Sequence, residues 1–414
     1  MPPSRLYLDN AATSFPKPPP VAQAMADYAR TLGVPARGSY PEARETARLI
    51  DRCRARINTL INGESPSPTT HVVFTLNTTD AMNLAIKGIV HRRLRTTTSP
   101  IHLITSEADH NSALRPFNAL VEQHPARITQ TRLPIDPATG LVDPDDLRRA
   151  LTPHTALVAI NHASNVTGTI QPAAELGAIC RERGVTFLLD AAQSLGHIPV
   201  DVRAMHVDLL AFPGHKGLLG PTGTGGLYIR PGIENAMDTL REGGTGFRSE
   251  LEAMPTHLPD RFEPGSHNAV GIVGLSEGVQ WLLDQGPRTR EHELHLIRLT
   301  LDTLTGDSAP HGLRLLGPTT PEARVGVFSI VHDTLSPTDL GAALERDHNI
   351  LTRSGLHCAP LAHAALGTRE DANHADPSRH GATRFSYGPF NTEADVQAIT
   401  TALRAICAQP VAAK

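Results

Sequence analysis

Between residues 72 and 229, short apolar runs alternate with helix-periodic stretches, and this alternation restricts the fold more than any other feature. Residues 72–75, 101–104, 127–133, 156–160, 185–189, 207–212 and 226–229 read as strands. Helical periodicity follows Asp80 through Ile89, resumes near Ala113, and covers 143–151 and 173–183. Two further helices, over about 21–32 and 42–61, precede the first strand. The pattern predicts an α/β fold built on a mostly parallel sheet flanked by helices. In such sheets ligands bind beyond the C-terminal ends of the strands. Thr78, His110, Asn165, Asp190 and Lys216 each follow one of those ends. That polar or ionisable groups recur at so many separate strand ends points to a single cleft.

The pattern changes near Gly265. Helices over 269–283, 292–304, 337–346 and 393–406 and strands over 326–331 and 383–387 predict a smaller α+β C-terminal domain. We expect a large domain over 17–285 and a small one formed by 1–16 and 286–414, the latter carrying Cys358 and Arg384. The polar stretch 368–380 has no periodicity and is expected to be a mobile loop.

A net charge of -4 over 414 residues gives no sign of nucleic-acid binding, and no basic run is interleaved with aromatics. No run of about 18 apolar residues is present, so no membrane span is expected. Residues 1–10 contain Asp9 and no apolar core of the kind a secretory signal needs. The cysteines at 53, 180, 358 and 407 are far apart, which argues against a disulfide framework and fits a reducing, cytoplasmic setting. His357, Cys358, His363, His374 and His380 match no zinc spacing, so no metal is expected. The glycines from 217 to 226 lack the nucleotide-loop pattern and are expected to let the backbone pass close to a cofactor.

Lys216 follows a buried strand, and burial lowers an amine's pKa and suits it to Schiff-base chemistry. A cofactor of the pyridoxal 5′-phosphate type needs four partners besides. Asp190 can pair with its ring nitrogen and His110 can lie on its ring. Thr78 and Thr79, ahead of a helix, can hold its phosphate. Arg384 can grip a substrate carboxylate with two parallel hydrogen bonds. Cys358 lies between His357 and Ala359-Pro360, shortly after Arg353, a setting that favours a reactive thiol. Cys53, Cys180 and Cys407 sit in helical patterns and are expected in the core.

In order and spacing, several motifs resemble the class V aminotransferase superfamily and, within it, the cysteine desulfurase and selenocysteine lyase family. They are Tyr7-Leu8-Asp9-Asn10-Ala11-Ala12, Asn77-Thr78-Thr79-Asp80, Asp109-His110-Asn111, Asn165-Val166-Thr167-Gly168, Asp190-Ala191-Ala192-Gln193-Ser194, Gly214-His215-Lys216, Phe262-Glu263-Pro264-Gly265-Ser266 and Arg353-Ser354-Gly355-Leu356-His357-Cys358-Ala359-Pro360. The resemblance implies the type I fold of pyridoxal-phosphate-dependent transferases. It implies that Lys216 bonds the cofactor and shuttles protons, and that His215, Thr78 and Thr79 bind its phosphate. Asp190 meets the ring nitrogen, Gln193 and Asn165 the ring hydroxyl side, and His110 the ring face. Ser266, in place of a threonine, would reach the phosphate of a neighbouring subunit in a homodimer. Arg384, with Asn165 and Arg353 nearby, would bind L-cysteine, and Cys358 would accept its sulfur and pass it to an acceptor protein.

The sequence departs from the family pattern at three places. Asn77 replaces a glycine, Pro213 a hydroxyl residue, and His267 a proline. Loss of one hydrogen bond at Pro213, worth about 1 kcal/mol, is expected to weaken cofactor retention. Selenocysteine lyase, another class V carbon–sulfur lyase or aminotransferase, and a non-catalytic scaffold for sulfur-transfer partners remain alternatives.

Overall fold

The computed structural model describes residues 5–64, 67–369 and 380–408. Residues 370–379, most of the expected mobile loop, and with them His374, lie outside the described residues. In chain order the elements are β1 (Leu6–Tyr7), α1 (Pro19–Thr31), α2 (Pro41–Leu60), β2 (Val72–Thr75), α3 (Thr78–Thr96), β3 (Ile101–Ser106), α4 (Asn111–Gln123), β4 (Ile128–Leu133), α5 (Pro144–Ala150), β5 (Thr155–Asn161), α6 (Ala173–Glu182), β6 (Thr186–Asp190), β7 (Leu209–Pro213) and β8 (Gly225–Ile229). There follow α7 (Ala269–Gln285), α8 (Arg288–Leu304), β9 (Leu313–Leu315), β10 (Val327–His332), α9 (Pro337–His348), β11 (Ile350–Leu351), β12 (Arg353–Gly355), α10 (Pro360–Ala365), β13 (Ala382–Ser386) and α11 (Glu393–Cys407).

The central sheet has the order β2-β8-β7-β6-β5-β3-β4. Only β8 is reversed, being antiparallel to both neighbours, so β2 runs in the same sense as the other five. Neighbouring residues along each strand face opposite ways. Leu188, Leu209 and Ala211 therefore join the cluster containing α3 and α4 residues such as Leu84 and Phe117. Phe187, Leu189, Leu210 and Phe212 join the cluster with Cys53, Ile57, Leu275 and Val279 of α2 and α7. Both faces are covered, which is why these strands read as unbroken apolar runs.

The expected helix starts shift slightly. Thr78 and Thr79 lie in the first turn of α3 rather than ahead of it. Asn77 caps the helix, its Oδ1 accepting from the Asp80 amide at 3.0 Å, while Asp80 accepts from the Leu76 amide at 3.0 Å. Asn77 has extended backbone, φ -175°, so nothing there demands glycine. The close approach is made instead by Gly225 on the paired strand β8, where a Cβ would sit 2.7 Å from the Asn77 Cα.

A four-stranded antiparallel sheet, β12-β13-β10-β9, packs with α8, α9 and α11 around a separate apolar cluster. Phe328 of β10 opposes Phe385 of β13, and their rings stack at 5.1 Å. The N-terminal segment joins this part of the molecule: β1 pairs in parallel with β11, and Asp9 bridges to Ser386. No helix among the described residues is long and apolar enough to cross a membrane.

A buried ion pair ties α2 to the segment between β8 and α7. Arg54 donates two hydrogen bonds of 2.6 Å to the two oxygens of Glu263, and both side chains are buried. His267 adds a contact of 2.6 Å to Glu263, which accounts for the histidine found in place of proline. Burial alone would raise the Glu263 carboxyl, but Arg54 and His267 outweigh it and bring it to about 2. The stability this group contributes is full above its ordinary value of 4.5 and is lost as pH falls towards 2. Arg54→Met, which strands the carboxylate, should destabilise by about 3–5 kcal/mol, and Arg54→Met combined with Glu263→Gln should cost less. Urea unfolding midpoints at pH 7 check this.

Candidate active site

Lys216 lies on the turn after β7, and the first residues of the chain hold that turn. The His215 carbonyl accepts from the Ser14 amide at 3.1 Å, Thr13 Oγ1 at 3.0 Å and Lys17 Nζ at 2.8 Å. The Lys216 carbonyl accepts from Ser14 Oγ at 2.9 Å. On the other side Gly217 and Gly196 pack backbone on backbone; a Cβ on Gly217 would fall 2.3 Å from the Leu195 oxygen. Gly217 and Gly225 thus serve approach to protein backbone, whereas Gly226 makes room for the Phe212 ring.

The turn forms one wall of a cavity of about 250 Å³ that Thr78, Thr79, His110, Asn165, Asp190 and His215 also line. Strand register sets the floor. Asn161 pairs with Asp190 and Asp190 with Ala211, so β5 and β6 end level with one another and β7 runs on to Pro213. Asp109, buried after β3, accepts from the Asn161 amide at 2.7 Å and from Thr105 and Ser106, locking two strand ends together. Burial pushes its carboxyl up to about 6 against those hydrogen bonds.

Each lining side chain has a fixed posture. His110 caps α4, its Nδ1 accepting from the Ser112 amide at 3.0 Å. Burial, with Lys216 and three arginines beyond, lowers it to about 4, so its ring is neutral with the proton on Nε2. Asp190 Oδ1 accepts from the Ala192 amide at 2.9 Å, while Oδ2 has only a long 3.4 Å contact from Ser112. Burial raises the Asp190 carboxyl, with the Ala192 amide and Lys216 opposing. Gln193 donates to the Ala11 carbonyl at 2.9 Å. Burial lowers the Lys216 amine from 10.5 to about 8, with Arg384 adding to the effect and Asp190 opposing it.

Arg384, Arg353 and Cys358 stand behind this lining and connect to it. Arg384 is buried on β13; its Nη2 donates to Asp9 at 2.8 Å and its Nη1 to the Asn165 carbonyl at 3.1 Å. Any substrate carboxylate must therefore use its remaining N–H groups, among them the Nε–H, which has no partner. Asn165 Nδ2 donates to the His357 carbonyl at 2.6 Å, and the Asn111 amide to the Cys358 carbonyl at 2.8 Å. The Cys358 thiol is exposed and lies 3.8 Å from Arg353 Nη2. Cys53 and Cys180 are buried, as expected of core thiols, and burial pushes both up to about 12; Cys407 is half-buried. Ser266 is exposed and lines a separate depression with Leu76 and Arg241. Among the described residues no group of three or more His, Cys, Asp or Glu could share a metal ion.

Sequence reading missed Asp9, Ser112, Asn161 and Asp109. Asp9 and Asp109 lay inside motifs already singled out, whereas Ser112 and Asn161 matter through contacts between strand ends and helix starts that spacing does not reveal.

The lining fits pyridoxal phosphate. His215 and Asn161 line the cavity, the buried Nδ1 of the one and Oδ1 of the other have no protein partner, and Asp190 Oδ2 is nearly free. The N–H groups of Thr78 and Thr79 open α3 and, like those of any first helical turn, have no acceptor within the helix.

Comparison with known proteins agrees. The aminotransferase class-V family model matches residues 6–399, and the chain belongs to that family. It is 32% identical to the probable cysteine desulfurase of Methanothermobacter thermautotrophicus, over 97% of this chain and 94% of the relative. It is 31% identical to the cysteine desulfurase IscS of Vibrio campbellii, over 94% and 90%. Among solved structures it resembles the apo cysteine desulfurase of Thermococcus onnurineus, with a TM-score of 0.85, 30% identity and coverage of 97% and 94%. The cysteine desulfurase CsdA of Escherichia coli gives a TM-score of 0.80 at 27% identity, with coverage of 97% and 94%.

A lysine lowered to about 8 becomes nucleophilic well below the ordinary range, because the neutral amine fraction grows as pH rises through that value. Borohydride-trapped aldehyde adducts on Lys216, mapped by mass spectrometry, should therefore rise steeply between pH 7 and 9. A rise only above pH 10 would contradict the assignment.

Proposed function

We propose that this protein is a pyridoxal-phosphate-dependent cysteine desulfurase that converts L-cysteine to L-alanine and leaves a persulfide on Cys358 for an acceptor protein. The observation that carries the reading is the joining of two sites. A buried amine, a buried carboxyl and a helix N-terminus share one cavity, and the turn bearing an exposed thiol is hydrogen-bonded to residues beside it.

When bound, pyridoxal phosphate supplies an electron sink for the substrate's Cα–H bond. Lys216 Nζ would hold the cofactor, and its amine, once free, would take the α-proton of the substrate. Asp190 Oδ2 would keep a proton on the ring nitrogen, and the neutral His110 ring would pack against the ring. Thr78, Thr79 and His215 bind the phosphate, Gln193 and Asn165 the ring hydroxyl side. Arg384 binds the substrate carboxylate, with Arg353 adding positive charge nearby. Cys358 Sγ then bonds to the substrate sulfur as the Cβ–S bond breaks. The electron pair of that bond stays with Cβ, which takes up the proton lost by the Cys358 thiol; Lys216 returns the α-proton to Cα, and alanine leaves.

The reading includes a homodimer in which Ser266 reaches the phosphate site of a second copy. Ser266 is exposed and lies outside its own chain's cavity, and the exposed apolar Leu76 lines the same depression as Ser266. It also treats residues 17–285 as the cofactor-holding domain, and 1–16 with 286–414 as the smaller one. A cytoplasmic setting is supported by four unpaired cysteines.

Incubation with L-cysteine and a reductant should give alanine and sulfide in equal amounts. Turnover of selenocysteine or cysteine sulfinate alone would overturn the substrate assignment. Cys358→Ala should keep the yellow imine absorbance and lose persulfide, whereas Lys216→Ala should lose the imine itself.

A further inference from the structure

We propose that His363 is a positioning residue for Cys358, acting through His357 by a one-way chain of hydrogen bonds. This rests on the desulfurase reading above. His357 and Cys358 both have left-handed backbone, with φ of 50° and 59°. Neither is glycine, so this turn is disfavoured on its own and needs outside support. Asn165 and the Asn111 amide hold the two carbonyls of the turn. The side-chain support comes from within the same segment.

The His357 ring is buried, with Nε2 3.1 Å from the Arg353 carbonyl and Nδ1 3.3 Å from His363 Nε2. His363 is buried too, and its Nδ1 lies 2.8 Å from Thr368 Oγ1. A carbonyl can only accept, so His357 Nε2 carries a proton. Burial, with the cationic Arg384 facing the pair, lowers both rings and keeps them neutral. A neutral His357 leaves Nδ1 bare, so His363 Nε2–H must donate to it. A neutral His363 leaves its own Nδ1 bare, so the Thr368 hydroxyl must donate there, although the His363 carbonyl also lies 3.1 Å away. Only this assignment satisfies every partner.

The chain runs from Thr368 through both rings to the Arg353 carbonyl. It fixes the backbone of the residue whose guanidinium lies 3.8 Å from the Cys358 sulfur. It also joins the start of α10 to the last residues before the thiol. His363 touches neither substrate nor cofactor; it acts by holding the thiol beside Arg353.

The test compares His363→Leu, which deletes the donor, with His363→Gln, whose amide can still donate to His357. In the cofactor-loaded enzyme, His363→Leu should lower kcat for desulfuration about tenfold, the worth of one well-made buried hydrogen bond, with KM for L-cysteine and the imine absorbance unchanged. His363→Gln should recover most of that loss. Iodoacetamide labelling of Cys358, followed by mass spectrometry without any substrate, should slow in His363→Leu and recover in His363→Gln. The ¹⁵N spectra of labelled histidine at pH 7 should show Nε2–H tautomers for His357 and His363, assigned by difference from the variants. A protonated Nδ1 on either ring, or equal labelling of Cys358 in His363→Leu and wild type, overturns the proposal. If L-cysteine is not the substrate, turnover is absent in every variant, yet labelling and spectra still decide on the chain.

Discussion

The register between β5, β6 and β7 is the constraint on which the site depends. Asn161 opposite Asp190, and Asp190 opposite Ala211, bring β5 and β6 to an end at one level, with β7 running on to Pro213. In a sheet buried on both faces, a slip of one residue would send Leu188 into the layer meant for Phe187 and Leu189. It would also turn Asp190 away from the cavity. The apolar packing of both layers thus fixes the cavity edge, and the Asp109 carboxylate adds hydrogen bonds that lock the ends of β3 and β5 together.

Much of this arrangement was legible in the chain, for a physical reason. Parallel strands covered on both sides must be apolar throughout, so 156–160 and 185–189 stood out clearly, and the polar residue after each had to lie at the open edge. Short strands left weaker traces. β1 and β11 have two residues each and are defined only by pairing with one another across most of the chain. Asn77 as the cap of α3 was missed because Thr, Thr and Asp beside it are all capable of the role, and only the extended backbone of Asn77 selects it. Arg384 was read as a free fork for a carboxylate. Its engagement with Asp9 depends on the N-terminal strand lying beside β13, which no local pattern encodes.

Buried charge is handled in three ways in this molecule. Arg54 is matched by a carboxylate on two hydrogen bonds. Arg324 has no acidic partner; its guanidinium donates to the Pro318 and Val327 carbonyls and sits 4.3 Å over the Phe328 ring, and burial lowers it to about 9. Among the described residues the Lys216 amine meets neither a carboxylate nor a carbonyl, and burial leaves it lowered. The contrast separates charges matched within the architecture from an amine left unmatched.

The pairing of Leu6 and Tyr7 with Ile350 and Leu351 has a consequence for how the molecule is made. A ribosome releases the first ten residues long before their partners exist, so β1 must wait for most of the chain to emerge. The same segment carries Ser14 and Lys17, which hold the Lys216 turn. The reactive amine therefore reaches its final posture late in biogenesis, and a nascent chain stalled before residue 350 would display that lysine on an unfinished scaffold.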